Sequence, residues 1–299
     1  MPVPDGRAIT PARRLAAALE PVVGQVYFSP ECHAAYVALG FGPSPGKAGQ
    51  VALPDGAAYF TSRGSVLGQV PGELVAAAFA VFNPAVVVPA VTYGWTLTDA
   101  PTICAARDAG AIGQLRRILG DDPPGLARAD ELLTRAVEDL SVEGRPLYAG
   151  ISSLGLPDDP IGRVWRLGDQ LREYRGDSHT IAWVSAGLDP IEIGLLTELF
   201  WGLPLRSYIR TRAWSPEQLD SALERLRSRG LLDGDAFSDD GRNLREHVES
   251  VTDAQLTPVV TALGGDLDEV VEILAAWGKS IRDQGGYLGS GAGDLAMAR

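Results

Sequence analysis

The sequence predicts an all-α protein with a minor β wing, in which a helical N-terminal domain precedes a winged-helix-like C-terminal domain. Apolar residues recur at helical spacing along most of the chain. Capping residues followed by proline mark repeated helix starts, and Asp233-Gly234 supplies hairpin turn chemistry between two helical stretches.

In chain order, residues 11–28 and 32–39 read as helices, with Pro21 expected to kink the first and Ser29-Pro30-Glu31 to cap and open the second. The apolar run 74–93 is interrupted by Asn83, Pro84 and Pro89 before the roughly 20 residues a bilayer requires, so it reads as two buried segments. Residues 101–119 and 124–140, separated by Gly120-Asp121-Asp122-Pro123, are expected to form an antiparallel pair. A long helix spans 160–187, introduced by Asp158-Asp159-Pro160 and ended by Gly187. Gly176 inside it costs about 1 kcal/mol relative to alanine, which points to close packing or a break.

Residues 190–201 form a further helix, and 205–212 a short segment with an expected strand. Ser215-Pro216-Glu217 then opens a helix over 216–229, a hairpin occupies 230–238, and a helix resumes over 239–263. Helix, helix, hairpin, helix is the outline of a winged helix-turn-helix. An amphipathic helix over 267–282 precedes a glycine-rich tail expected to be disordered. The expected organisation is a helical domain with a ligand pocket over 1–187, a winged-helix-like domain with a terminal helix over 188–284, and a disordered tail over 285–299.

With 299 residues the chain can bury a substantial core. Its net charge is −12, with Lys47 and Lys279 the only lysines, which disfavours bulk attraction to nucleic acid or anionic membrane. Two cysteines, Cys32 and Cys104, provide no disulfide framework, and residues 1–10 lack a secretory pattern, so a cytoplasmic location is expected. No metal site is expected, because Cys32, His33, Cys104, His179 and His247 include no pair at a helical ligand spacing. Gly40 to Lys47 lacks the hydroxyl after lysine that a phosphate-binding loop needs. No particular cofactor is indicated.

The densest chemistry lies in Leu171-Arg172-Glu173-Tyr174-Arg175-Gly176-Asp177-Ser178-His179. On a helix Arg172, Arg175 and His179 share one face, beside Glu173 and Asp177. His179 is the expected acid or base, held by Asp177 or Glu173, with Arg172 or Arg175 binding an anion. The competing reading is a satisfied structural ion network.

Tyr27-Phe28-Ser29-Pro30-Glu31, residues 63–68, Phe82-Asn83-Pro84, Gly144-Arg145-Pro146-Leu147-Tyr148 and residues 171–179 together resemble a largely uncharacterised family of actinobacterial proteins. Its members share the tyrosine-phenylalanine-serine-proline-glutamate segment, a helical arginine-glycine-aspartate-glycine-histidine signature and a C-terminal winged helix-turn-helix of MarR-like type. Here Ser178 replaces the signature's second glycine, and Tyr174 replaces a histidine that often precedes its arginine. The resemblance implies a ligand-responsive regulator binding DNA through Arg225, Arg227 and Arg229 of the recognition helix. Those three arginines face seven acids: Glu217, Asp220, Glu224, Asp233, Asp235, Asp239 and Asp240. A surface that approaches phosphates should be basic, so the acidic wing disfavours DNA.

A small-molecule pocket between the N-terminal helices and the 160–187 helix is therefore the leading expectation, with acid-base catalysis through His179, Asp177 and Glu173 if the protein is an enzyme. Its expected lining includes Arg175, Arg172, Arg63, Tyr27, Glu31, Asn83, Trp95 and Trp165, together with Glu20, Phe28, Phe79, Phe82, Tyr93 and Trp183. Each has a plainer role: ion pairing for Glu20, helix capping for Glu31, turn formation for Asn83 and core packing for the aromatics. A homodimer is expected, with no membrane contact.

Overall fold

A computed structural model describes residues 9–297. Most of residues 1–10, the stretch without a secretory pattern, lies outside the described residues. The described residues are mainly helical, with two small antiparallel strand pairs, as the all-α reading with a β wing requires.

Helix α1 (Pro11–Gly24) is capped by Thr10, which accepts the Arg13 amide, and passes into a 3-10 turn over Gln25–Phe28. Ser29 caps α2 (Pro30–Ala38) by accepting the Cys32 amide, and a hairpin of β1 (Lys47–Ala48) and β2 (Val51–Ala52) follows. Next come α3 (Gly56–Gly64), α4 (Gly72–Phe79) and α5 (Pro84–Leu97). The break at Asn83 divides the apolar run as expected, with the Asn83 side chain accepting the Ala85 amide, but α5 continues through Pro89 and leaves Val86 and Tyr93 exposed, so the run is not two buried segments. Helices α6 (Ala100–Leu119), α7 (Leu126–Val137), α8 (Pro146–Ser153) and α9 (Pro160–Ser185) complete the first half.

The expected antiparallel pairing of α6 with α7 is replaced by packing of each against α9. Their apolar stripes meet α9 because that helix is buried along its first half, from Ile161 to Leu171. Helix α9 runs unbroken through Gly176, where an added Cβ would meet only Glu173 Oε2, at 3.5 Å. Neither close packing nor a break therefore explains that glycine.

The winged unit contains α10 (Pro190–Phe200), a 3-10 turn over Ile209–Arg212, α11 (Pro216–Ser228) and the hairpin β3 (Leu232–Asp233) and β4 (Ala236–Phe237). The strand expected in 205–212 is absent because the buried Glu198 carboxylate gathers the amides of Arg206, Tyr208 and Ile209 at 2.7, 2.5 and 2.6 Å, curling that segment. Helix α12 (Asp239–Gln255) ends at Leu256, and α13 (Thr257–Leu263) restarts at once, so the single helix expected over 239–263 is two. Helices α14 (Leu267–Asp283) and α15 (Ala292–Met297) close the chain.

Two of the hydrophobic cores define the architecture. One joins α1, α2, α6, α7 and α9 to Val259, Leu263, Leu267, Val270, Leu274 and Ile281 of the C-terminal helices. The other holds Leu195, Leu196, Ile209, Leu219, Leu223, Leu226 and Val248 of the winged unit. The terminal helix assigned by sequence to the winged domain thus packs on α1. A Cβ at Gly278 would lie 2.6 Å from the Pro21 ring, so this approach requires glycine. The tail expected to be disordered is also anchored: Tyr287 and Leu288 are buried in the first core, and the Tyr287 hydroxyl donates to Glu20 at 2.9 Å. The glycines of the tail concealed these two apolar anchors. Burying such side chains contributes on the order of 2 kcal/mol each.

Candidate functional site

The charged turns of α9 border a cavity of about 200 Å³. Leu171, Arg172, Glu173, Arg175 and Gly176 form one wall; Leu15, Ala16, Leu19 and Glu20 of α1, Arg63 of α3, Leu256 and Val259 form the rest. Arg172 and Arg175, three residues apart on α9, both line the cavity, with Gly176 beside them.

Glu173 sits at the centre of the charge network. It accepts two hydrogen bonds from Arg63, at 3.2 and 2.9 Å, and one from Arg172 at 2.9 Å. Burial alone would raise its pKa; Arg63 and Arg172 outweigh that and hold it below the usual carboxylate range. Arg172 also grips Glu20 through two nitrogens, at 2.9 and 3.2 Å, and reaches the Tyr27 hydroxyl at 3.3 Å. Glu20 is thus ion-paired, as the plain reading had it.

Arg175 turns toward α12. Its Nη2 donates to Glu249 at 2.8 Å, and its Nε is buried without a hydrogen-bond partner. The same Glu249 carboxylate accepts from the buried Arg245 at 2.7 Å. Burial opposes ionisation of Glu249, but Arg245 and Arg175 pull its pKa down to about 2. Arg13 of α1 completes this cluster by bonding Glu246 at 2.8 Å and Asp253 at 2.7 Å. Nothing in the sequence pattern places Arg13, Arg245 and Glu249 at this cluster as a set. The four-residue spacing of Arg245 and Glu249 was the visible signal for one part of it.

The expected His179 and Asp177 acid-base pair is not formed. Two residues apart on a helix, their side chains leave in different directions. His179 Nδ1 lies 3.2 Å from the Thr252 hydroxyl and 3.8 Å from Glu249; burial, then Arg245, push its pKa down to about 3 and leave the imidazole neutral. Asp177 instead accepts the Tyr148 amide at 3.0 Å, at the start of α8, and burial pushes it up to about 7. Neither residue lines the cavity.

Of the other expected ligand contacts, Tyr27 reaches the cavity only through Arg172 and packs edge-on against Tyr59. Glu31 stands in the first turn of α2 and pairs with Arg117 at 2.6 Å. Trp95 and Trp165 are structural, donating their indole N–H groups to the carbonyls of Val70 and Val23 at 2.8 and 3.3 Å. Glu31, Asn83, Trp95 and Trp165 each find a partner within the fold, and none of them lines this cavity.

Asn83 has a second role, because its amide group donates to the Ala213 carbonyl at 2.9 Å. Its backbone N–H donates to the Arg212 carbonyl at 3.0 Å, and Trp214 Nε1 donates back to the Val81 carbonyl, also at 3.0 Å. The Arg212 guanidinium lies 4.5 Å from the centre of the Phe82 ring. The corner between α4 and α5 therefore grips residues 212–214, immediately before the Ser215 cap of α11.

On α11 all three expected DNA-contacting arginines are engaged internally. Arg225 pairs with Asp189 and Glu192, and Arg229 with Glu192 at 3.0 Å and the Gly187 carbonyl at 3.1 Å. Arg227 pairs with Asp235 of the hairpin at 2.8 Å. Glu192 is buried, so Arg225 and Arg229 serve to neutralise it. The Arg227 pair is open to solvent on both sides, and such pairs contribute about 0–1 kcal/mol.

Among the described residues no helix is long and apolar enough to cross a membrane, and no group of three or more His, Cys, Asp or Glu side chains is placed to hold a metal ion. A family model described as a helix-turn-helix family matches residues 12–288. No curated protein and no solved structure gives a match.

Proposed function

The chain belongs to the helix-turn-helix family, and from that premise we propose that it is a ligand-responsive DNA-binding regulator whose effector occupies the cavity beside α9. One observation carries the reading: α9 belongs to both halves of the molecule. Its middle turns wall the cavity, while Ala182 and Trp183, two to three turns later, lie in the core of the winged unit. Arg175 adds a lateral link by bonding Glu249 of α12.

An anion that bonds the unused donors of Arg175 shares that cation with Glu249, so its affinity differs according to whether the link between α9 and α12 is made. That difference is what a ligand needs in order to shift an equilibrium. On the output side, α11 is the helix that would meet DNA in this reading, and the grip of Val81 to Asn83 on residues 212–214 supports it by tying the start of that helix to the first half of the chain. Arg227 is the arginine most readily exchanged from Asp235 to a phosphate, because its acidic partner is exposed whereas Arg225 and Arg229 also hold the buried Glu192. A homodimer in the cytoplasm completes the reading.

The acids around α11 and the internal pairing of Arg225 and Arg229 favour a second reading, in which the protein binds a small molecule and the winged unit serves only for packing. Selection of fragments from a genomic DNA pool by the purified protein, at low and high salt, separates the two. Retained duplex whose affinity falls steeply with salt supports the regulator; no retention at low salt supports the packing module.

A further inference from the structure

Resting on the reading of the cavity as the ligand site, we infer that its ligand is a small carboxylic acid with an apolar body, bound with its carboxylate on Arg175. Three guanidiniums line the cavity, and two of them are engaged at every nitrogen. Arg63 donates from all three of its nitrogens, to Glu173 and Tyr59, and Arg172 donates from all three of its own, to Glu20, Glu173 and Tyr27. Arg175 donates from Nη2 alone. A guanidinium carries five N–H donors, so the unused donor capacity of the lining arginines is concentrated on this residue.

The acceptors show the opposite pattern. Both oxygens of Glu173 and both of Glu20 already receive arginine or tyrosine donors. A ligand ammonium would find both lining carboxylates committed, whereas a ligand acceptor finds Arg175. An anionic acceptor is favoured over a neutral one because the lining carries three guanidiniums, Arg63, Arg172 and Arg175, against two carboxylates, Glu20 and Glu173, and charge-assisted hydrogen bonds are about twice as strong as neutral ones.

The remaining wall is apolar, formed by Leu15, Ala16, Leu19, Leu171, Leu256 and Val259. At about 200 Å³ the space is smaller than the roughly 300–1,000 Å³ of drug-sized sites, which fits a body of about six carbons.

Calorimetric titration of the full-length protein with hexanoate, 1-hexanol and hexylammonium tests this. Hexanoate is expected to bind at least about tenfold more tightly than the other two, the scale of one charge-assisted contact. R175Q is expected to erase that preference. R175K, which keeps a cation for Glu249 and so guards against loss of the fold, is expected to weaken it. Equal binding of hexanoate and hexanol, or an unchanged preference in both Arg175 variants, overturns the carboxylate assignment while leaving the cavity as a ligand site. Failure of all three probes to bind the wild type also overturns it. The cavity reading itself fails separately if G176L, which fills the space, leaves both probe binding and duplex affinity unchanged.

Discussion

Arg175 of α9 and Glu249 of α12 meet at 2.8 Å, joining the wall of the cavity to a helix that packs into the winged unit. Glu249 is nearly buried and neutralises Arg245 as well, so one carboxylate holds two guanidiniums. Removing it leaves both without their shared counter-ion. E249Q is expected to lower unfolding free energy by about 3–5 kcal/mol, measured by urea denaturation at neutral pH.

The same carboxylate sets an acid limit. Its folded-state pKa of about 2 lies below the ordinary carboxylate value, so its contribution is present above that ordinary value and is lost as pH falls through about 2. E249Q is expected to flatten the stability profile over that window.

His179 and Asp177 supply opposite slopes nearer neutrality. His179 is held neutral, with its pKa down at about 3, so its contribution is present above about 6.5, the unfolded value, and fades as pH falls toward 3. Asp177 is pushed up to about 7, so its contribution is present below the usual aspartate value and is lost as pH rises through about 7. In denaturation series across pH, H179Q is expected to reduce the first slope and D177N the second. D177N keeps an acceptor for the Tyr148 amide.

Much of this organisation was legible in the sequence. Ser29, Asp159 and Ser215 announced their helices because a cap is a local event, decided by one side chain and an amide two or three residues on. The charged turns of α9 were legible as a cluster, and Arg63, Arg172, Arg175 and Glu173 do border the cavity. The partners of His179 and Asp177 were not. They come from α12 and α8, and nothing local to 171–179 specifies which distant helix packs there. The anchoring of Tyr287 was hidden for the same reason, since its partner Glu20 lies at the other end of the chain.

Tyr287 gives a further test. Its hydroxyl donates to a cavity wall residue, and Y287F removes that bond while keeping the ring against Phe28. A loss of about 1 kcal/mol is expected in thermal or chemical unfolding.

On α11 the three arginines are expected to separate by role. R227A is expected to leave stability within about 0.5 kcal/mol and to reduce the salt slope of duplex binding by about one. R225A combined with R229A is expected to destabilise the fold, because buried Glu192 then loses both cations. Unfolding curves and anisotropy titrations at several salt concentrations read the two effects independently.

The most direct test of the account is duplex affinity in the wild type and in G176L. The extra side chain enters the cavity from a helix position where only Glu173 Oε2 lies within 4 Å of the new Cβ. The account predicts an unchanged salt slope and an affinity altered at least about fivefold, the lower range of allosteric coupling. Equal affinity in both proteins, or no duplex binding by either at low salt, would contradict it.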